Sequence, residues 1–174
     1  IGMWDHTRRE SNMLDGGAHF YDTYECADGE YVSIGSIEPQ FYALLLEKAQ
    51  LDPEVFGNQH DQARWPELKD AMAAVFRQKT QAEWCELMEG TDVCFAPVLN
   101  FMDAPKHPAA VARNSYIEVD GMTQPAPAPR FSRTPSQVRN GGSDLGADTR
   151  AVLAAMGFGE QELDDLATAG AIGG

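Results

Sequence analysis

The stretch "VSIGSIEPQFYALLLEKA", Val32 to Ala49, changes its hydrophobic period partway along, and that change constrains the fold more than any other feature. Val32 and Ile34 alternate with small residues, the period of a half-buried strand. After Pro39 the apolar residues Phe41, Leu44, Leu45 and Ala49 recur at helical spacing and can share one face. A strand must therefore hand over to a helix at Glu38-Pro39. Proline suits the first helical position, because its missing N–H would have had no intrahelical partner. The residue before it is pushed into extended backbone. Glu38 thus falls at or beside the N-cap, where Ser, Thr, Asp or Asn would reach the first amides better. A longer carboxylate can project away from the helix end and accept a hydrogen bond from a neighbouring group. A surface glutamate favoured by the helix dipole is the ordinary alternative, and the local residues leave both open.

Upstream, "YDTYECADGEYVSIGS" reads as a β-hairpin. Tyr21, Thr23 and Tyr24 begin one strand, and Tyr31, Val32 and Ile34 form its partner. Asp28-Gly29 between them is a dipeptide that tolerates the positive φ of tight turns. Tyr21 and Tyr24 either pack a core or present a polar tip to a substrate channel. Downstream, Asp52-Pro53 is a cap followed by proline at the first helical position. "RWPELKDAMAAVFRQKT" places Leu68, Met72, Val75 and Phe76 on one stripe. Thr80 with Glu83 three residues later is a capping-box pattern, and that helix stops at Gly90. "VCFAPVLNF" is strand-like but broken by Pro97. A short helix over "MDAPKHPAAVARN" and a strand at "SYIEVD" follow. From Gly121 the chain turns proline-rich, and "PAPAPRFSRTPS" should run extended. Two short helices split at Gly157-Phe158-Gly159 close the chain.

The expected fold is α+β: a small domain over 21–120, with a short antiparallel sheet and several helices. Residues 1–20 read as a linker. Residues 121–174 read as a Pro-rich segment and a helical C-terminal arm, too apolar and too regular for a disordered tail.

Several function classes are disfavoured. A formal charge of −14 over 174 residues offers no basic footprint for nucleic acid or an anionic membrane. No run approaches a membrane span. Cys26, Cys85 and Cys94 fit no metal spacing. They read as free thiols in a reducing compartment, with Cys85 as a core residue, and a cytoplasmic location is expected. His6, His19, His60 and His107 show no ligand spacing, and two of them lie in the expected linker, so no metal is assigned. There is no nucleophile elbow and no phosphate-cradling glycine loop.

The segment "NMLDGGAHFYDTYECADGEYVSIGSIEPQFYALLLEKA" resembles the α-methylacyl-CoA racemase branch of the family III CoA-transferases. "NQHDQARWPELKDAM", "CFAPVLNFMDAPKHP", "PAPAPRFSRTPS" and the closing helices are similar to later segments of that family. The resemblance implies the small domain and C-terminal arm of a larger enzyme. Its other domain would carry the catalytic His and Asp and cradle CoA, and none of the four histidines here matches that His. The implied chemistry is removal and return of the α-proton of a 2-methylacyl-CoA thioester, with the thioester as substrate and no separate cofactor. The glutamate of "IEPQFY", Glu38, would hydrogen-bond and orient the catalytic imidazole. Tyr21, Ile37, Met13 and Leu14 fall where the family lines its acyl channel. The expected partners are a complementary large-domain chain and further copies of this chain, joined through exposed apolar surface. The chain alone should be inactive. The alternatives are a non-catalytic interaction module and a fragment of a CoA-transferase, and the wording "SIEPQFY" favours the racemase.

Overall fold

The computed structural model describes residues 4–173. They fall into two compact units, the first ending at Phe101 and the second beginning at Met102. Both are built from helices and small antiparallel sheets, so the fold is α+β. The shift in composition at Gly121 does not coincide with the division between units.

In the first unit, β1 (Tyr21–Glu25) and β2 (Tyr31–Gly35) form the expected hairpin. Gly29, at φ +81°, supplies the turn, where a side chain would be strained. The register pairs Tyr24 with Val32 and Asp22 with Ile34. Tyr24, Val32 and Ile34 therefore share one face, and all three are buried. β3 (Phe95–Val98) adds antiparallel to β2, giving the order β1-β2-β3. Pro97 does not break this strand. It sits inside it opposite Val32, because β3 is an edge and a missing donor there costs no ladder bond.

Four helices accompany the sheet. They are α1 (Pro39–Lys48), the one-turn α2 (Pro53–Phe56), α3 (Trp65–Phe76) and α4 (Gln81–Met88). Prolines open α1 and α2, and Pro66 lies in the first turn of α3. Thr80 and Glu83 form the capping box at α4. On α3 the stripe Leu68, Met72 and Phe76 is fully buried. On α1 the buried face is Tyr42, Leu45 and Ala49, rotated from the expected one, with Phe41 and Leu44 only half-buried. Tyr42 turns inward because its hydroxyl donates to the Phe56 carbonyl at 2.7 Å, so its polar tip is satisfied inside the core.

The core is strongly aromatic. Tyr24 stacks on Phe76 at 5.2 Å between centroids, and Phe76 meets Trp84 at 5.0 Å. The Trp65 and Trp84 indoles donate to the carbonyls of Gln59 and Phe76. The stretch before β1 also enters this core: Asn12, Ala18, His19 and Phe20 are buried. The C-terminal part of the expected linker is thus structural, and His19 is a core residue. Gly17 permits this packing, since a Cβ there would lie 2.5 Å from the Asn12 carbonyl oxygen. Of the thiols, Cys26 is buried, Cys85 half-buried and Cys94 exposed. Cys85 is therefore not the core residue that its apolar helix suggested, because the neighbouring Trp84 takes the inward position.

In the second unit, α5 (Pro108–Ala112) precedes β4 (Tyr116–Val119) and β5 (Met122–Pro125), which pair antiparallel. β5 lies at the start of the proline-rich stretch, which is expected to run extended, and its extended backbone there pairs with β4. The connecting Asp120 and Gly121 both have positive φ, 52° and 78°, as a two-residue hairpin turn requires. The remaining helices are α6 (Thr149–Ala155) and α7 (Glu160–Thr168). They are tied by the Arg150 guanidinium to Asp164 and Glu160 at 2.6 and 3.3 Å. Among the described residues, no helix is long and apolar enough to cross a membrane.

Candidate functional site

Glu38 is the N-cap of α1, in extended backbone at φ −72° and ψ 144°. Its side chain makes no capping bond and is exposed. Its carbonyl accepts from the Phe41 and Tyr42 amides, both at 3.0 Å, so the main chain starts the helix while the carboxylate points elsewhere. The unbonded helix end and the proline at the next position both follow from the sequence "EPQ".

The strand-to-helix corner before Glu38 is held from several sides. The Gly35 amide donates to the Cys94 carbonyl, and the Ser36 amide donates to the Phe20 carbonyl. The Ser36 hydroxyl donates to the Val93 carbonyl. The Gln59 side chain donates to the carbonyls of Ser36 and Ile37, at 3.0 and 2.9 Å. Ser36 and Gln59 are both buried.

Beside this corner lies an open cleft of about 500 Å³. Tyr21, Thr23, Ser33, Gly35, Cys94 and Ala96 contribute to its walls, together with Asp15, Gly16 and Asp22. A side chain on Gly35 would meet the Tyr21 ring at 3.4 Å, so this glycine admits the close approach of the ring. At one wall the Lys69 ammonium lies 2.7 Å from the Asp22 carboxylate and also donates to the Gly16 carbonyl. Asp15 accepts from both the side chain and the amide of Asn12, which holds its carboxyl below the usual range. Partial desolvation pushes the Cys94 thiol up, and the negative charges of Glu38 and Asp92 push it further.

Of the residues singled out from the sequence, Tyr21 lines the cleft. Met13, Ile37 and Tyr21 pack half-buried against the core, and Leu14 is exposed. No histidine lines the cleft. His19 sits in the core against Phe20, Tyr42 and Phe56, and the His60 ring packs edge-on to Phe20. Nothing in the sequence singles out Gln59, Lys69 or Asp22, and Cys94 reads there only as a free thiol. Nothing local marks Gln59 or Lys69, whose side-chain partners lie more than twenty residues away.

This fold and this corner have clear relatives. Residues 3–149 match the profile of CoA-transferase family III, and the chain belongs to that family. Over 170 residues, 95% of the chain, it is 46% identical to alpha-methylacyl-CoA racemase of Mus musculus. Over 169 residues it is 40% identical to alpha-methylacyl-CoA racemase of Homo sapiens. In both cases it spans 44% of the relative's length. Two crystal structures of Rv3272 from M. tuberculosis superpose with TM-scores of 0.58 and 0.59. They are 18% and 17% identical, over 71% of this chain and 36% of that protein. That likeness concerns the fold alone.

Proposed function

We propose that these residues supply one half of a 2-methylacyl-CoA racemase site, and that the proton-transferring His and Asp come from protein outside them. One observation carries the reading. Glu38 heads its helix with a carboxylate that caps nothing and stays accessible, within a segment akin to two alpha-methylacyl-CoA racemases.

The chemistry follows from what a lone carboxylate can do there. Racemisation needs a base to take the α-proton of the thioester and an acid to return it to the opposite face. Glu38 would accept a hydrogen bond from the far nitrogen of an incoming imidazole, fixing its tautomer and raising its basicity. Tyr21, Ile37, Met13 and Leu14 would contact the branched acyl chain. CoA enters only as part of the substrate. The family match also leaves room for CoA transfer between carboxylic acids, which a CoA-exchange assay separates from racemisation.

The reading carries expectations about partners. Phe101 and Leu145 are fully exposed, and Val98 and Phe131 are partly so. Surfaces of this kind favour association, either with a complementary large domain or with further copies of this chain. A monomer at high concentration in sedimentation would count against self-association.

The direct test is α-proton exchange. The chain is incubated with a 2-methylacyl-CoA in D2O, and deuterium at C2 is followed by mass spectrometry. No incorporation by the chain alone, with incorporation restored by a large-domain polypeptide, is the expected result. Clear incorporation by the chain alone would overturn the assignment of roles.

A further inference from the structure

One carboxamide nitrogen holds the last two carbonyls before Glu38. Gln59 Nε2 donates to the Ser36 carbonyl at 3.0 Å and to the Ile37 carbonyl at 2.9 Å, using one hydrogen for each. Gln59 is itself fixed. It is buried, and its own carbonyl accepts from the Trp65 indole at 2.9 Å. The segment carrying it is pinned too, by Tyr42 donating to the Phe56 carbonyl and Arg64 donating to the Val55 carbonyl.

From this geometry we propose that Gln59 is a positioning residue for the Glu38 carboxylate; its catalytic purpose rests on the function proposed above. The argument starts with what otherwise holds Glu38. Its side chain has no bond to the helix end, and it stands exposed at a strand-to-helix corner. Its direction is therefore set by the main chain. On the helical side that chain is held by the Phe41 and Tyr42 amides on the Glu38 carbonyl. On the strand side Gly35, Ser36 and the Ile37 amide are bonded, and the Ile37 carbonyl, the last before Glu38, is held by Gln59. Two peptide planes meet there: the Ile37 amide ties the first to the Gly35 carbonyl at 2.9 Å, and the Gln59 carboxamide holds the carbonyl of the first and of the second. Gln59 fixes both planes with one rigid, planar group. A single long side chain from a separate loop thus aims a carboxylate that it does not touch. Small misplacements of a catalytic group are costly in rate, which gives such a brace a purpose beyond stability.

The test has two arms. In the first, the Glu38 methylene and backbone order is measured by NMR relaxation on the 174-residue chain. Gln59→Met keeps the length of the side chain and removes both donors. It should lower order at Ile37 and Glu38 and speed amide exchange at Phe41 and Tyr42. Thr80→Ala, which destabilises the same unit at a distant cap, should leave Glu38 order unchanged. Unchanged Glu38 order in Gln59→Met, or equal loosening in Thr80→Ala, would overturn the proposal.

In the second arm, C2 deuterium exchange is measured in the assembly with the large-domain polypeptide. Gln59→Met should lower the exchange rate on the order of tenfold to a hundredfold, with KM little changed. The double variant Glu38→Gln plus Gln59→Met should be no slower than Glu38→Gln alone, since the brace acts through Glu38. Multiplying losses would mean a general structural role and would overturn the proposal. If Glu38→Gln leaves exchange unaffected, the proposed function fails, and the NMR arm alone decides the brace.

Discussion

The His19 imidazole and the Tyr42 phenol meet at 2.8 Å inside the core of the first unit, and the contact settles where the imidazole proton sits. The Tyr42 hydroxyl has one hydrogen and donates it to the Phe56 carbonyl, which can only accept. His19 Nε2 must therefore be the donor to Tyr42. Nδ1 is then the bare nitrogen, and it is buried without a partner. Protonating it would place a charge in an aromatic pocket that also faces the positive charges of Arg64 and His60. Burial, with those two charges adding to it, depresses the His19 pKa from 6.5 to about 4.

The consequence is a stability that falls in mild acid. In the unfolded chain His19 binds a proton below pH 6.5; in the folded protein it does so only near pH 4. Between those values the unfolded state holds more protons, so stability is full above pH 6.5 and declines as the pH drops toward 4. The loss is at most about 3 kcal/mol. Urea denaturation at pH 7.5 and 4.5 measures it. His19→Phe should flatten the profile across that window, and an equally steep decline in the variant would refute the assignment.

Glu38 offers a prediction in which stability and activity move in opposite directions. Glu38→Asp shortens the side chain to one that reaches the first helical amides, so the melting temperature should rise by the equivalent of about 0.5 kcal/mol. The carboxylate is drawn back toward the helix end at the same time, away from the imidazole that Glu38 is proposed to orient. Exchange in the assembled enzyme should therefore fall. A variant both more stable and fully active would show that the projection of Glu38 has no catalytic use.

Lys69 braces the segment before β1. Lys69→Met leaves the Asp22 carboxylate and the Gly16 carbonyl without their shared donor, at a cost of about 1–2 kcal/mol. The loosening should be local. Amide hydrogen exchange should quicken over residues 12–17 and remain unchanged in α4.

Gly17 is where that segment passes closest to its own turn. In Gly17→Ala the new methyl would lie 2.5 Å from the Asn12 carbonyl oxygen and 2.7 Å from the Asn12 nitrogen. Backbone atoms cannot swing aside as a side-chain tip does, so about 1–3 kcal/mol should be lost in a denaturation experiment. Gly29→Ala, where no atom crowds the new methyl, would be penalised only by its positive φ.

Much of the local architecture was legible in the sequence because local rules wrote it. The Asp28-Gly29 turn, the prolines at helix starts and the Thr80–Glu83 box act over a few residues, and each appears where the sequence puts it. The hairpin of β4 and β5 carries the same kind of signal, Asp120-Gly121, but the prolines that follow favour extended backbone and mask the pairing. Pro97 misled in the other direction. Whether proline breaks a strand depends on which edge faces a neighbour, and one strand read by itself does not say.

Of the candidate site, the sequence marks the N-cap position of Glu38 and Tyr21, which lines the cleft. By itself the sequence determined the joint: a strand, an extended residue before proline, and a carboxylate too long to cap. Tertiary structure decided which face of α1 turns inward, because Tyr42 finds the Phe56 carbonyl there. It made His19 a core residue and not part of a linker. It also put Gln59 against carbonyls 22 and 23 residues away. The physical reason is the range of the forces. Backbone preference and capping are settled between near neighbours, whereas a buried donor takes whichever acceptor the packed chain brings within 3 Å.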